Sequence, residues 1–325
     1  MKNFADRLIE AIQAKKSYLC VGLDPQLRYF PPLLLKNCAS LGEMGGVGEA
    51  ILTFNRSIIN ATAEYAACYK TQMAFYEQYG PTGIWAFQET VRYAHEKGEL
   101  VVEDAKRGDG GDTAEAYAEG HLGLIDVIGP DGELVKARSP YDVDAITIHD
   151  WIDEPCHEPF IRVAVREGKG VFVVDKTSFK PASRFQEMAD ADGEKGWVKM
   201  AKVIKVLGES LKGEHGYSPI GVVMGATYPE EAKLMRELLP EAFKLIPGFG
   251  VQGGGADEAV VCINPDGFGI LPNNSRGTNY AWHPKFKSEF QGDPMSYIIS
   301  SARETKKCRD ALNAAVLKKN GSLPW

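Results

Sequence analysis

Eight short apolar runs alternate with helix-like patterns along this chain, and that alternation limits the possible folds more than any other feature. The runs occupy residues 18–24, 66–70, 101–109, 143–149, 170–178, 220–227, 244–250 and 269–274. Helical patterns separate most of them, at 47–65, 82–97, 198–211 and 229–239. Strands that alternate with helices favour a parallel sheet, and eight of them favour a closed (β/α)8 TIM barrel over a doubly wound sheet. We therefore predict the α/β class and a single barrel domain over residues 1–325.

The composition is that of an ordinary globular protein, since hydrophobic residues make up 44% of the 325 residues and charged residues 25%. A net charge of −7 gives no overall attraction to nucleic acid, so an anionic ligand needs a local positive site. The six cysteines are scattered without a C-x-x-C pair, which argues against a disulfide framework or a zinc site. Cys20 and Cys68 lie in apolar runs, as small buried thiols do.

The N-terminal residues 1–20 show an amphipathic helix pattern rather than a signal peptide, because charges interrupt every apolar run. No stretch of the chain approaches the roughly 18 consecutive apolar residues of a membrane span. We therefore expect a cytoplasmic protein that binds neither nucleic acid nor a membrane.

Two segments look like additions to a barrel. Residues 128–137 contain a Pro-Asp-Gly turn and predict a β-hairpin insertion. Residues 179–196 are polar and irregular, and they follow a predicted strand directly. A long loop at that place is typical of a lid over a barrel active site, although a disordered excursion fits the pattern as well.

Charged residues stand at the ends of the first three predicted strands. Asp24 precedes Pro25, which disfavours helical geometry at Asp24, and Lys70 ends the second run. Asp104 and Lys106 are two apart in the third run, so their side chains leave the same face of a strand. In a barrel these four charges lie on the rim that carries active sites, and nearby carboxylates keep a lysine protonated. A structural ion pair is the alternative interpretation of Asp104 and Lys106 taken alone.

A phosphate site is indicated nearer the other end of the chain. The glycine-rich residues 247–255 follow the seventh run, and Arg276 follows the eighth. The loops after strands seven and eight usually bind phosphate in such barrels, and glycine lets backbone amides approach the oxygens. Arg276 would add a charge-assisted, two-pronged contact. A structural turn would explain the glycine-rich loop alone, so the combination with Arg276 is the more specific signal.

These motifs, in this order, resemble the orotidine 5′-phosphate decarboxylase family, and in particular its longer branch. The motifs are GLDP at 22–25, YKTQMAFYEQYG at 69–80, DAKRGD at 104–109, KTS at 176–178, PGFGVQGG at 247–254 and NSRG at 274–277. The resemblance implies a homodimeric barrel enzyme that converts orotidine 5′-phosphate to UMP and CO2 in pyrimidine biosynthesis. It also implies that the enzyme uses no metal or organic cofactor.

The resemblance further implies a role for each matching residue. Lys106 would protonate the ring carbon that loses CO2, and Asp104 would face the substrate carboxylate. Lys70 would complete the charge network, and Asp109 would reach across the dimer into the partner subunit's site. The remaining substrate contacts would be Asp24 at the ribose, Thr113 close behind Asp109, Ser178 at the pyrimidine, and Gln252, Gly253 and Arg276 in the phosphate loops.

The chain departs from the family pattern at two places. After Asp109 the family usually has a bulky aliphatic residue that lines the carboxylate pocket, whereas this chain has Gly110. We expect the pocket either to be looser there or to be filled by another side chain. The fourth strand usually ends in an Asn-Pro-Tyr-like turn, whereas here it ends in His149, Asp150 and Trp151. His149 could be a new polar contact at the rim, but we favour a hydrogen-bonded residue behind the site.

Three other functions share parts of this pattern. A related Mg²⁺-dependent decarboxylase of sugar phosphates has the same D-x-K strand but needs a further carboxylate ligand. Glu103 and Asp112 are available, although Glu103 should point away from Asp104 on the strand. A Schiff-base aldolase needs a neutral lysine, which fits poorly among these acids. A non-catalytic nucleotide-binding barrel would keep the pocket without turnover.

Overall fold

The computed structural model describes residues 2–177, 183–225, 228–250 and 255–325. Its strands are β1 (Cys20–Leu23), β2 (Cys68–Gln72), β3 (Val101–Arg107), β4 (Leu124–Ile128), β5 (Leu134–Arg138), β6 (Ala145–Ile148), β7 (Gly170–Lys176), β8 (Ile220–Met224), β9 (Lys244–Ile246) and β10 (Ile270–Asn274). Eight of them close a barrel in the order β1-β10-β9-β8-β7-β6-β3-β2. All eight barrel pairings are parallel, so the predicted TIM barrel is confirmed.

Helices follow the barrel strands and form the outer layer. They are α1 (Phe4–Lys15), α2 (Pro32–Cys38), α3 (Glu43–Thr62), α4 (Ala74–Glu77), α5 (Gly80–Glu96), α6 (Gly111–Leu122), α7 (Glu154–Glu167), α8 (Ser183–Gln186), α9 (Gly196–Glu209), α10 (Pro229–Leu238), α11 (Ala256–Ala259), α12 (Arg276–Asn279) and α13 (Tyr297–Asn320). Short 3₁₀ turns lie at Leu27–Tyr29, Ala39–Leu41, Pro284–Phe286 and Pro294–Ser296. The four helical patterns noted in the sequence correspond to α3, α5, α9 and α10.

The barrel strands are buried because helices cover their outer faces and side chains fill the interior. This explains why they appear in the sequence as continuous apolar runs. Cys20 of β1 and Cys68 of β2 stand opposite each other in the parallel ladder. Their thiols form no disulfide and are buried, as their apolar surroundings predicted.

The N-terminal helix α1 packs on the barrel through its apolar face. The ring of Phe4 meets the ring of Phe172 edge to face, with the centroids 5.9 Å apart. A Cβ atom at Gly170 would lie 2.6 Å from the Phe4 ring, so this close packing requires glycine at the start of β7. The amphipathic pattern predicted for the N-terminus therefore serves to cover the barrel.

Strands β4 and β5 form an antiparallel hairpin outside the barrel, so the predicted hairpin is confirmed. It spans residues 124–138, which is longer than the 128–137 that we expected. Its turn closes through the hydrogen bond that Gly132 N donates to Gly129 O at 3.0 Å. Ile128 and Leu134 at the tip are 79% and 68% exposed. The hairpin lies between the end of α6 and the start of β6, which is the amino-terminal end of the barrel.

The described part of the segment expected at 179–196 is folded against the opposite end. It contains α8 and an isolated bridge between Ala189 and Lys195. Across the described ranges, none of the helices combines the length and the apolar character needed to cross a bilayer.

Candidate active site

A cavity of about 200 Å³ opens at the carboxyl ends of the barrel strands. Its lining includes the polar side chains of Asp24, Lys70, Gln72, Asp104 and Lys106, and residues of the predicted phosphate loops, which are Pro247, Gly248, Phe249, Ser275 and Arg276. The structure thus brings together the charges predicted after strands one to three and the arginine predicted after strand eight. The barrel topology does this, because the strands that carry them end at one rim.

Asp104 is the centre of the charge network, since both of its carboxylate oxygens receive two donors. Lys70 Nζ lies 2.9 Å from Oδ2, and Gln72 Nε2 donates to the same oxygen at 3.1 Å. Lys106 Nζ and Thr147 Oγ1 both donate to Oδ1, the latter at 3.0 Å. A carboxylate with four donors is fixed in orientation and in charge.

The electrostatics of this network keep both the Asp104 carboxyl and the Lys70 amine in their charged forms. Burial would raise the pKa of the Asp104 carboxyl, but the ammonium groups of Lys70 and Lys106 outweigh it and hold that pKa well below its usual range. Burial would likewise lower the pKa of Lys70, but Asp104 and Asp24 raise it further. Lys70 therefore stays an ammonium, which disfavours its use as a Schiff-base nucleophile.

A bulge in β3 shapes the Asp104–Lys106 pair. Glu103 is opposite Ile146 and Arg107 is opposite Ile148, so three residues of β3 stand opposite one residue of β6. Within this bulge Lys106 adopts a left-handed backbone, with φ of 50°. For a residue other than glycine this conformation costs about 1 kcal/mol or more, and it persists where the surroundings fix it.

Asp24 follows β1 directly, as the Pro25 signal predicted, and it lines the cavity. Ion pairs nevertheless join only three of the four predicted charges, Lys70, Asp104 and Lys106. Asp24 forms no ion pair with any described residue. Its Oδ1 is buried without a hydrogen-bond partner among those residues. Burial therefore raises the pKa of the Asp24 carboxyl, although Lys70 and Ser275 oppose the shift. An unoccupied acceptor at the cavity wall suits a ligand hydroxyl.

Two glycines allow the phosphate side of the cavity to close tightly. A Cβ atom at Gly22 would lie 1.9 Å from Ser275 Oγ, so β1 can approach the β10 loop only with glycine there. Gly250 has φ of 90°, and a Cβ atom on it would lie 2.6 Å from Asn274 Nδ2. Arg276 begins α12 and makes no ion pair with any described residue.

Three of the predicted substrate contacts cannot be placed. Ser178, Gln252 and Gly253 lie outside the described residues. Thr177, which precedes Ser178, lines the cavity, as do Pro247 and Gly248 of the glycine-rich loop.

Asp109 and Thr113 do not reach the cavity of their own chain. Both are exposed beside the start of α6, and Asp109 Oδ1 accepts a hydrogen bond from Gly110 N at 2.7 Å. The gap at Gly110 is covered by another side chain, because a Cβ atom there would lie 2.9 Å from Ile152 Cδ1. Ile152 thus occupies the space that a larger residue 110 would need.

The end of β6 differs from the expectation at His149. The His149 side chain is only partly buried, and the hydrogen bond we expected is not found among the described residues. Partial burial and the nearby Lys106 lower its pKa. Behind it, His157 Nδ1 lies 2.6 Å from Asp150 Oδ2. Together with Asp153 these two form a group of potential metal ligands within 4.8 Å of one another, outside the cavity wall.

The segment after β7 is held to the barrel by charge. Lys176 is buried at the end of β7, and its Nζ pairs with Glu187 Oε1. Lys195 Nζ lies 2.6 Å from Glu187 Oε2, and Gln186 Oε1 accepts from Thr177 N at 3.2 Å. These contacts tie the described part of the lid segment to the strand that ends beside the cavity.

Sequence reasoning missed two members of the network, Gln72 and Thr147. Gln72 lies two residues after Lys70 in β2, so strand alternation could have placed it on the same face. We ended the second strand at Lys70, whereas β2 continues through Gln72. Thr147 carries no charge and lies inside an apolar run, so it gave no local signal.

Comparisons with known proteins identify the family to which the chain is similar. A family model described as the orotidine 5′-phosphate decarboxylase / HUMPS family matches residues 17–262. Orotidine 5′-phosphate decarboxylase of Rhodopirellula baltica is 35% identical over 323 residues, which is 99% of each chain. The enzyme of the same name from Clostridium novyi is 37% identical over 307 residues, covering 94% of this chain and 97% of that one. The solved structure of Leishmania donovani OMP decarboxylase superposes with a TM-score of 0.66 at 29% identity, covering 95% of this chain and 100% of that one.

Proposed function

The chain belongs to the orotidine 5′-phosphate decarboxylase / HUMPS family, and from that premise we propose how its side chains convert orotidine 5′-phosphate to UMP and CO2. The observation that supports this reaction most directly is the row Lys70–Asp104–Lys106 on the cavity wall. The row combines a carboxylate that stays ionised with ammonium groups on both sides.

The substrate spans the cavity from the phosphate loops to the charge row. Its phosphate binds Arg276 and the backbone of the glycine-rich loop, and a ribose hydroxyl donates to the unpartnered oxygen of Asp24. Ser178, Gln252 and Gly253 complete the contacts to the pyrimidine and the phosphate. This orientation directs the pyrimidine carboxylate toward Asp104 and Lys106.

Lys106 performs the proton transfer. When the bond between C6 and the carboxylate carbon breaks, CO2 leaves and the electron pair stays on C6 in the plane of the ring. No π-system can delocalise this pair, so a positive charge placed in that plane provides the stabilisation. The Lys106 ammonium supplies that charge and then donates its proton to C6 to form UMP. Lys70 keeps the site's charge balanced while Lys106 is neutral.

Asp104 acts on the ground state as well as on Lys106. The substrate carboxylate binds beside a carboxylate that the two lysines hold ionised. Two like charges 4 Å apart repel by about 4 kcal/mol at an effective dielectric of 20, and the repulsion ends when CO2 leaves. Binding energy from the distant phosphate offsets this repulsion.

The segment at 179–196 serves as the lid. Its described part is fastened to Lys176 and Thr177 through Glu187 and Gln186, next to the predicted pyrimidine contact. A lid at this place excludes water from the developing carbanion once the phosphate is bound.

The active unit is a homodimer in which Asp109 enters the partner subunit's site. Support comes from the exposure of Asp109 and Thr113, which lie outside the cavity of their own chain. Trp151 and Ile152 are 77% and 48% exposed, and Ile152 lies beside Gly110, so exposed apolar side chains stand next to these polar residues. We also propose that the enzyme is cytoplasmic, as the N-terminal pattern predicted.

The test is turnover of orotidine 5′-phosphate, followed by the loss of its ultraviolet absorbance with and without EDTA. Rapid loss that EDTA does not change supports a cofactor-independent decarboxylase. Loss that EDTA abolishes would assign the site to the Mg²⁺-dependent relatives. Tight binding of UMP without turnover would show that the barrel has kept its pocket and lost its chemistry.

A further inference from the structure

Thr147 in β6 joins the backbone of Lys106 to the carboxylate of Asp104 through a single hydroxyl. Its Oγ1 accepts a hydrogen bond from Lys106 N at 3.0 Å and donates one to Asp104 Oδ1, also at 3.0 Å. The side chain is fully buried. A hydroxyl can donate and accept at the same time, so both contacts form together.

The β3 bulge explains why the Lys106 amide needs this partner. Thr147 is the one residue of β6 that faces the three bulged residues of β3, so the regular ladder is interrupted there. The left-handed backbone at Lys106 turns its N–H toward the Thr147 hydroxyl. A backbone amide without a partner in this place would be destabilising. The hydroxyl therefore takes the place of a ladder carbonyl.

The side chain that bears this hydroxyl is itself held firmly. Threonine is β-branched, which restricts its χ1 angle, and Thr147 lies on a strand paired on both sides. Its neighbour Ile148 pairs with Arg107, immediately after the bulge. The position of the hydroxyl is thus set by the barrel wall rather than by a loop.

We propose that Thr147 is a positioning residue for the decarboxylation. It fixes the Asp104 carboxylate and the Lys106 backbone relative to each other, so that the Lys106 ammonium is directed at the reacting carbon. The inference rests on the roles proposed above for Asp104 and Lys106. A displacement of about 1 Å in such a group can lower a rate by about 100-fold.

The test compares three substitutions. Thr147→Val keeps the shape of the side chain but removes the hydroxyl, and Thr147→Ser keeps the hydroxyl. Thr71→Val is the matched control, because Thr71 is equally buried in β2, on the other side of β3, and its hydroxyl has no partner among the described residues. For each variant we would measure kcat, KM, UMP affinity, and the exchange of the UMP C6 hydrogen for deuterium in D2O. The last reaction needs proton transfer but no loss of CO2.

We expect Thr147→Val to lower kcat and the exchange rate by about 100-fold, while KM and UMP affinity change by less than about threefold. Thr147→Ser should recover at least a tenth of the wild-type kcat, and Thr71→Val should retain nearly all of it. Equal losses in Thr147→Val and Thr71→Val would overturn the proposal, as would a Thr147→Val variant with unchanged kcat. If Thr147→Val does not fold, Thr147→Ala against Thr147→Ser provides the same comparison.

A Lys106→Ala variant separates this inference from the proposed function. If Lys106→Ala is inactive and Thr147→Val has normal activity, the proposed role of Lys106 is supported and the proposed role of Thr147 is wrong. If Lys106→Ala keeps normal activity, the roles assigned to the charge row are wrong themselves.

Discussion

Glu103 and Asp104 are adjacent in β3, yet their carboxylates serve opposite faces of the barrel wall. Glu103 Oε2 lies 2.7 Å from His121 Nδ1 of α6, whereas Asp104 faces the cavity and binds Lys70. Strand alternation produces this separation. The carboxylate closest to Asp104 in sequence is therefore directed away from the cavity, so Glu103 is not placed to act as the further metal ligand that a Mg²⁺-dependent decarboxylase needs.

Replacing Lys106 by alanine should abolish turnover without abolishing ligand binding. We expect kcat to fall by at least about 10³-fold, because both the in-plane charge and the transferable proton are lost. UMP affinity, measured by calorimetry, should remain detectable. Lys36→Ala is the control, since Lys36 is an exposed lysine of α2 that does not line the cavity. Near-normal activity in Lys106→Ala would refute the assigned role.

Replacing Arg276 by alanine should weaken phosphate-bearing ligands selectively. The loss should be roughly 2–4 kcal/mol for UMP, because charge-assisted contacts to a largely buried anion are removed. Binding of uridine, which lacks the phosphate, should change little. An equal loss for UMP and uridine would mean that Arg276 supports the pocket and does not anchor the phosphate.

Mixing two inactive variants should restore activity if Asp109 acts across a dimer. In a heterodimer of Asp109→Ala and Lys106→Ala chains, one site receives both intact residues and the other receives neither. Random exchange of subunits at equal amounts should therefore give about a quarter of the wild-type activity. Light scattering establishes the dimer independently. No recovery from mixed chains that do form heterodimers would place Asp109 outside the partner's site.

Asp175 should make the stability of the protein depend on pH. Burial raises the pKa of its carboxyl well above the usual range, and neither oxygen has a hydrogen-bond partner among the described residues. The folded state therefore binds a proton that the unfolded state has released, so this contribution to stability is complete below about pH 4 and is lost as the pH rises through the folded-state pKa. Each unit by which the pKa is raised corresponds to about 1.4 kcal/mol.

The comparison with Asp175→Asn isolates this group from the other carboxyls. Chemical denaturation of both proteins between pH 4 and 8 should show the wild type losing stability relative to the variant as the pH rises. Asp192→Asn is the control, because Asp192 is exposed and its carboxylate makes no ion pair or hydrogen bond with any described residue. Parallel curves for wild type and Asp175→Asn would contradict the prediction.

The fold and the main charges of the site could be predicted because they depend on local patterns. Asp24 was placed at a strand end by Pro25, and Asp104 and Lys106 were placed together by their spacing. The left-handed turn at Lys106 could not be predicted, since it depends on Thr147 in a strand about forty residues away. The side chain of Ile152 fills the space that a larger residue 110 would need. This contact also depends on the tertiary fold, so the local sequence did not predict it.

The hairpin β4–β5 has a practical consequence. Helix α6 leaves the catalytic rim and ends at the opposite end of the barrel, where the hairpin projects with its tip exposed. A linker or affinity sequence grafted into the turn at 129–132 would attach the enzyme to a support by its closed end. The mouth of the barrel would then face the solution, so an immobilised catalyst would admit substrate freely.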